Sequence, residues 1–177
     1  MTRSLTIAMA ALAATVGASR PVSEAGATTT APAVREVADR SLRDVAVAVY
    51  DSADPVIYYN PDLMARFSPE LRAFFMAHEY AHIALKHRRS GALGGEPGAF
   101  YRSLQAKELE ADCHAAQTLG PEGRATALAA AGFFAGLGQA RNDLEHPSGS
   151  ARAAKILSCL PLQVEDGAGA SSVSLSR

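Results

Sequence analysis

The stretch from Ser68 to Arg89 places two histidines in the middle of the face that a helix must bury. Ser68-Pro69-Glu70 is a strong helix start: serine caps, proline fits the first helical position, and an acid suits the positive end. Leu71, Phe74, Phe75, His78, His82 and Leu85 then step by threes and fours along one stripe, and the helix is predicted to run to about Arg89, before Gly91. A buried imidazole needs a partner for its ring nitrogens. Either the chain folds around what these two histidines hold, or they are core histidines satisfied by several polar neighbours.

Residues i and i+4 of a helix are neighbours on one face. The imidazoles of His78 and His82 can therefore grip one zinc ion, at bonds of about 2.0–2.1 Å. Glu79 is rotated roughly 100° from His78, so its carboxylate can reach a water on that ion without binding the ion itself. His78-Glu79-Tyr80-Ala81-His82 thus has the H-E-x-x-H form of two ligands and a general base. A catalytic zinc keeps three protein ligands and one open position. The metzincin pattern would need a glycine and a third histidine where this chain has Leu85 and Arg88. His87, on the continuing predicted helix, is turned about 140° from His82 and out of reach.

The better third ligand is Glu108. A second helix is predicted over Phe100 to Leu119, and its stripe of Leu104, Glu108, Ala111, Ala115 and Leu119 is apolar except for this carboxylate. A zinc ion would satisfy it, where burial alone is costly. The plain alternative is an exposed helix charge, since 107–112 holds three acids and a lysine; the histidine pair on the preceding helix favours the ligand. Asp112, one turn on, can accept a hydrogen bond from the free ring nitrogen of a ligating histidine and fix its tautomer. Glu110 points elsewhere, towards solvent.

Composition narrows the rest. The chain has 177 residues, 48% hydrophobic and 20% charged, with a formal net charge of −1. It can bury a core, and it lacks the basic excess that phosphate neutralisation requires, so nucleic acid is not an expected partner. No run of apolar residues is long enough for a membrane-spanning helix. At the N-terminus, Arg3, the apolar stretch Leu5 to Val16 and the small residues Val16-Gly17-Ala18 form a secretory signal over 1–18, with Ala25-Gly26-Ala27 as a later cleavage site. An N-terminal core helix is the alternative. Export to the periplasm or beyond a bacterial cell follows from the signal. A flexible linker is expected over 19–33, a folded domain over 34–164 and a disordered tail over 165–177. Within the domain the expectations are a helix over Val34 to Arg43 and two pairing strands, Val45 to Tyr50 and Val56 to Tyr59, joined by turn residues 51–55. A loop over Ser90 to Ala99 and helices over Pro121 to Leu137 and Ser150 to Leu160 follow.

His78-Glu79-Tyr80-Ala81-His82 followed by Glu108-Leu109-Glu110-Ala111-Asp112 resembles the gluzincin zinc peptidases. The nearest branch is the CAAX prenyl protease/HtpX-like family, over about Val45 to Leu160. His87, and His146-Pro147-Ser148 followed by Arg152, agree with it. The resemblance implies an α+β, mostly helical fold: a zincin-like core with a small sheet packed on the active-site helix. It implies one Zn2+ on His78, His82 and Glu108, with Glu79 as base and Asp112 behind the ligands. His146 lies near the site, as an oxyanion stabiliser or as a plain turn residue. Peptides or unfolded proteins are the implied substrates. Ala81 stands where many members carry glycine and is still small enough for close packing. The membrane helices of the prenyl proteases are missing, which favours the soluble periplasmic members over enzymes acting on lipidated substrates.

Cys113 and Cys159 are too few for a four-cysteine zinc site; in an oxidising compartment they form one disulfide, and otherwise they are two buried thiols. The strand Val56 to Tyr59 is expected to dock substrate as an added strand. Glu79 moves the proton from water to the leaving amine, and the 90–99 loop acts as a lid. Other readings are a non-catalytic peptide-binding or chaperone-like module on the same fold and a metal-free structural protein. A deformylase-type hydrolase would want a cysteine upstream of His78, and both cysteines lie downstream.

Overall fold

A computed structural model describes residues 33–51, 53–88, 97–120, 123–141 and 143–160. The expected signal, most of the linker, the greater part of the 90–99 loop and the expected tail lie outside the described residues.

Three short strands come first: β1 (Arg35–Ala38), β2 (Ala46–Val49) and β3 (Val56–Tyr59), in the order β1-β3-β2. The β2–β3 pair is the antiparallel hairpin its β-branched residues suggest, with Val47 opposite Tyr58. β1 corrects the helix expected over Val34 to Arg43. It runs parallel to β3, with Arg35 opposite Val56. The Arg35 amide donates to Pro55 O at 3.0 Å, and its guanidinium grips both oxygens of Asp54 at 3.0 and 2.7 Å. That pairing is non-local, so local helical spacing gives no hint of it. It also makes β3 the central strand, with both edges used. Docking of an added strand on Val56 to Tyr59 is therefore excluded, and the free edge near the helices belongs to β2.

Asn60 leads into a single-turn helix, α1 (Pro61–Met64): its side chain accepts from the Asp62 and Leu63 amides and donates to the Arg40 and Leu42 carbonyls. α2 (Pro69–Ala84) starts at the expected cap, with Ser68 Oγ accepting from the Leu71 amide at 3.3 Å. It stops short of Arg89. Lys86 adopts φ 57°, the Lys86 amide donates to Ile83 O at 3.0 Å, and the His87 amide donates to His82 O at 2.9 Å. This is the Schellman closure of a helix, normally built on glycine. With lysine at the left-handed position, the usual glycine signal is missing from the sequence.

Three helices complete the fold: α3 (Pro97–Thr118), α4 (Arg124–Leu137) and α5 (Gly149–Cys159). α3 opens at Pro97 instead of Phe100, with proline at its first position as its fixed φ favours. The result is the expected mostly helical α+β architecture, with the sheet resting on α2 through β2. Phe74 of α2 packs with Ala115 and Ala116 of α3, Ala127, Ala130, Ala131 and Phe134 of α4, and Ala153 and Ile156 of α5. So many alanines let helix axes approach closely. A second cluster of Ala46, Ile57 and Met64 seats the sheet, with Phe75, Met76 and Ile83 of α2 against it. Cys113 and Cys159 form a disulfide that ties α3 to α5. Closing a loop of that length removes unfolded-state entropy worth about 4 kcal/mol in the chain-entropy picture. No helix among the described residues is long and apolar enough to cross a membrane.

Two substitutions test this packing. A Cβ on Gly149 would sit 2.3 Å from Phe134 O and 2.7 Å from Leu137 Cβ, so Gly149→Ala should push α5 off α4 and lower unfolding free energy by about 1–3 kcal/mol. Lys86→Gly should act the other way, raising stability by about 0.5–1 kcal/mol through relief of the left-handed backbone. Denaturant midpoints at constant slope read both. A midpoint for Lys86→Gly below the parent's would contradict the strained turn.

Candidate metal centre

α2 and α3 pack side by side and bring three donors to one point. His78, His82 and Glu108 each offer one ligand atom, and those atoms lie within 4.8 Å of one another. His78 Nε2 is 3.0 Å from His82 Nε2 and 3.1 Å from Glu108 Oε2, and His82 Nε2 is 3.4 Å from Glu108 Oε1. Helical spacing alone puts the two imidazoles together, and the inward position of Glu108 on α3 supplies the acid.

The outer nitrogens of both histidines are held. His78 Nδ1 lies 2.9 Å from Asp112 Oδ1, a carboxylate with 0% exposure. Arg152 of α5 forks onto that carboxylate, with Nε donating to Oδ2 at 2.8 Å and Nη2 to Oδ1 at 2.7 Å. Its guanidinium also lies over the Phe134 ring, 3.9 Å from the centroid. On the other side, His82 Nδ1 is 3.0 Å from His87 Nδ1, and His87 Nε2 is 3.1 Å from Glu110 Oε2. The sequence places His87 on a continuing helix facing away and Glu110 in solvent. The Lys86 turn instead folds His87 back onto His82, and Glu110 reaches it. Each histidine thus has a partner that can fix which nitrogen carries the proton and leave Nε2 free to face an ion.

Electrostatics favour a cation here. Burial works against charge on His78, but its hydrogen bonds to Asp112 and Glu108 outweigh that and raise its pKa to about 10. Burial likewise opposes ionisation of Glu108, yet His78 and His82 hold its carboxyl well below the usual range. Asp112 is lowered too, its burial offset by Arg152 and His78. With neutral imidazoles, the carboxylates of Glu79, Glu108 and Asp112 against the single guanidinium of Arg152 leave two negative charges. Two nitrogens and a carboxylate converging at hydrogen-bond distance share a positive charge, either a proton on His78 or an ion that takes its place. A divalent ion fits both the donor set and the charge.

Glu79 stands beside this point without joining the donor set. Its Oε2 accepts from the Ala48 amide of β2 at 2.6 Å. His146 is at the rim, with Nε2 3.7 Å from Glu108 Oε2 and Nδ1 2.9 Å from both oxygens of Asp143. The site opens into a cavity of about 340 Å³ lined by β2, α2, α3 and the ends of α4 and α5. Arg152 is the residue that sequence reading places least well. It stands out only through its position after His146-Pro147-Ser148, although a wholly buried Asp112 requires a cation from somewhere.

The chain belongs to a metallopeptidase family: residues 13–155 match the sequence profile described as "putative metallopeptidase domain". No curated protein and no solved structure matches it.

If Asp112 and Arg152 hold the His78 ring for an ion, Asp112→Asn should weaken metal binding by about 10-fold to 100-fold while leaving the helices folded. Chelator competition gives the affinity and circular dichroism the fold. An unchanged affinity would show that Asp112 serves packing alone.

Proposed function

We propose that this protein is a zinc-dependent metalloendopeptidase of the gluzincin type, acting on peptides or unfolded proteins. From the motif order we read it as resembling the HtpX-like peptidases. The observation that carries the proposal is the convergence of His78, His82 and Glu108 with Glu79 alongside. Zinc at that triad supplies Lewis acidity, which lowers the pKa of water towards about 7 and polarises a carbonyl.

The protein's own groups do the rest. Asp112, clamped by Arg152, keeps the His78 proton on Nδ1, and His87 performs the same service for His82. Glu79 accepts the proton of the attacking water and passes it to the leaving amine. His146 donates Nδ1–H to Asp143 and turns Nε2 towards the site, where its imidazolium form donates to the oxyanion. Substrate backbone pairs with the free edge of β2 in place of the expected β3, because β3 is already paired on both sides. Ala48 presents its amide on that edge, and Ala46, two residues away, faces the same way.

We also place the protein outside the cytoplasm. The charged and apolar N-terminal segment supports this reading, as does the Cys113–Cys159 disulfide, a bond that oxidising compartments sustain.

The test is digestion of unfolded casein by the zinc-loaded chain beside its Glu79→Gln form. Glu79→Gln should keep its zinc and lose cleavage by about 100-fold or more. Equal cleavage by both would remove Glu79 as the base. Zinc retained by both, with no cleavage by either, would instead indicate a peptide-binding module.

A further inference from the structure

The cavity beside Glu79 is chemically different at its two ends, and β2 sets the direction between them. β2 and α2 lie side by side and run the same way, as three landmarks show. Phe75 packs on the cluster that contains Ala46, Glu79 accepts from the Ala48 amide, and Arg88, just past the end of α2, lies over the Tyr50 ring at 5.7 Å. Ala46 and Ala48 are alternate positions of β2 and Tyr50 follows directly after its last residue, so Glu79, at Ala48, sits midway between the two ends.

The Ala46 end is aromatic. Phe67, Phe75, Phe133 and Phe134 all line the cavity. Their rings stack edge to face, with centroids 5.0 Å apart for Phe67–Phe75, 5.7 Å for Phe67–Phe133 and 5.4 Å for Phe133–Phe134. The Tyr50 end is cationic. Arg88 and Lys107 line the same cavity there, and the Lys107 ammonium donates to Arg88 O at 2.8 Å, which leaves it further donors. An extended chain pairs more favourably with an edge strand when antiparallel. Such a chain on β2 enters at Tyr50 and leaves at Ala46.

From this we propose that the site selects extended peptides with an acidic side chain on the amino-terminal side of the cleaved bond and a large apolar one on its carboxyl-terminal side. Each lies within about two positions of that bond, the spacing of Tyr50 and Ala46 from Ala48 along an extended strand. The selection rests on the peptidase reading for the cleavage step, but the two-ended surface binds whether or not the bond is cut. Arg88 and Lys107 attract the acid, and the part-buried rings of Phe67, Phe75 and Phe133 accept the apolar group, with Phe134 packed behind them.

The experiment uses octapeptides with glutamate two positions before the central bond and phenylalanine directly after it. Controls replace glutamate by lysine, replace phenylalanine by serine, or reverse the order of the two. Hydrolysis by the zinc-loaded chain and binding to its zinc-loaded Glu79→Gln form are measured side by side. Serine for phenylalanine should lower kcat/KM and affinity by about 10-fold to 100-fold. Lysine for glutamate should lower both by about 5-fold at low salt, and added salt should shrink that difference. Arg88→Glu, an exposed change, should reverse the charge preference and spare the apolar one, and Lys107→Gln should weaken the charge preference. Cleavage or binding that ignores both side chains, or a charge preference unmoved by either variant, overturns the proposal, as does the absence of any binding. Selective binding with no cleavage by the parent upholds it and overturns the peptidase reading instead.

Discussion

The wholly buried carboxylate of Asp112 is where fold and site become one structure. It stands on α3, takes both arms of the Arg152 fork from α5, and holds His78 of α2. A carboxylate so enclosed is tolerable only because a guanidinium and an imidazole meet it there. Removing any one of the three would leave a buried charge or polar group without its complement. The adjacent residue, Cys113, carries the disulfide to the end of α5, so the helix that delivers Arg152 is fixed covalently as well. Close approach of α5 to α4 at Gly149 completes the clamp. The donor triad is thus prearranged by packing that extends well beyond it.

What the sequence discloses follows from how local each feature is. His78, Glu79 and His82 lie within one turn or so of helix, and Glu108 and Asp112 repeat that spacing, so periodicity alone assigns them a face. The cysteine pair is legible because two cysteines allow one connection. β1 is not legible: its pairing with β3 is a parallel contact across a connection, and Arg35-Glu36-Val37-Ala38 carries no strong strand signal by itself. The end of α2 is hidden for a different reason. A left-handed turn on Lys86 defies the usual preference for glycine, and with it goes the return of His87 to His82. Arg152 is hidden by distance, since its partner Asp112 lies 40 positions earlier.

The rearranged sheet changes the meaning of the strands more than their number. Once β1 occupies the far side of β3, the one edge facing the helices is β2, and that edge meets Glu79 at Ala48. In the free protein the Ala48 amide is taken by Glu79. On the peptidase reading proposed above, a substrate that pairs along β2 competes for that amide, so docking of the chain and freeing of Glu79 are the same event. Water that enters without a substrate strand meets a carboxylate already engaged.

This coupling also bears on how the charges are arranged. Three carboxylates, Glu79, Glu108 and Asp112, act on the guanidinium of Arg152, and the two further cations that line the cavity, Arg88 and Lys107, are grouped near Tyr50, where Lys107 meets Arg88 O and Arg88 lies over the Tyr50 ring. Were those side chains turned onto the Glu108 carboxylate, they would compete with a metal for it and weaken the donor set. Turned towards Tyr50, they leave the three donors clear and face the course proposed for a peptide along β2. The separation of the two charge centres along one strand follows from α2 and β2 running in the same sense. The direction proposed for the substrate is therefore inherited from the topology of the sheet.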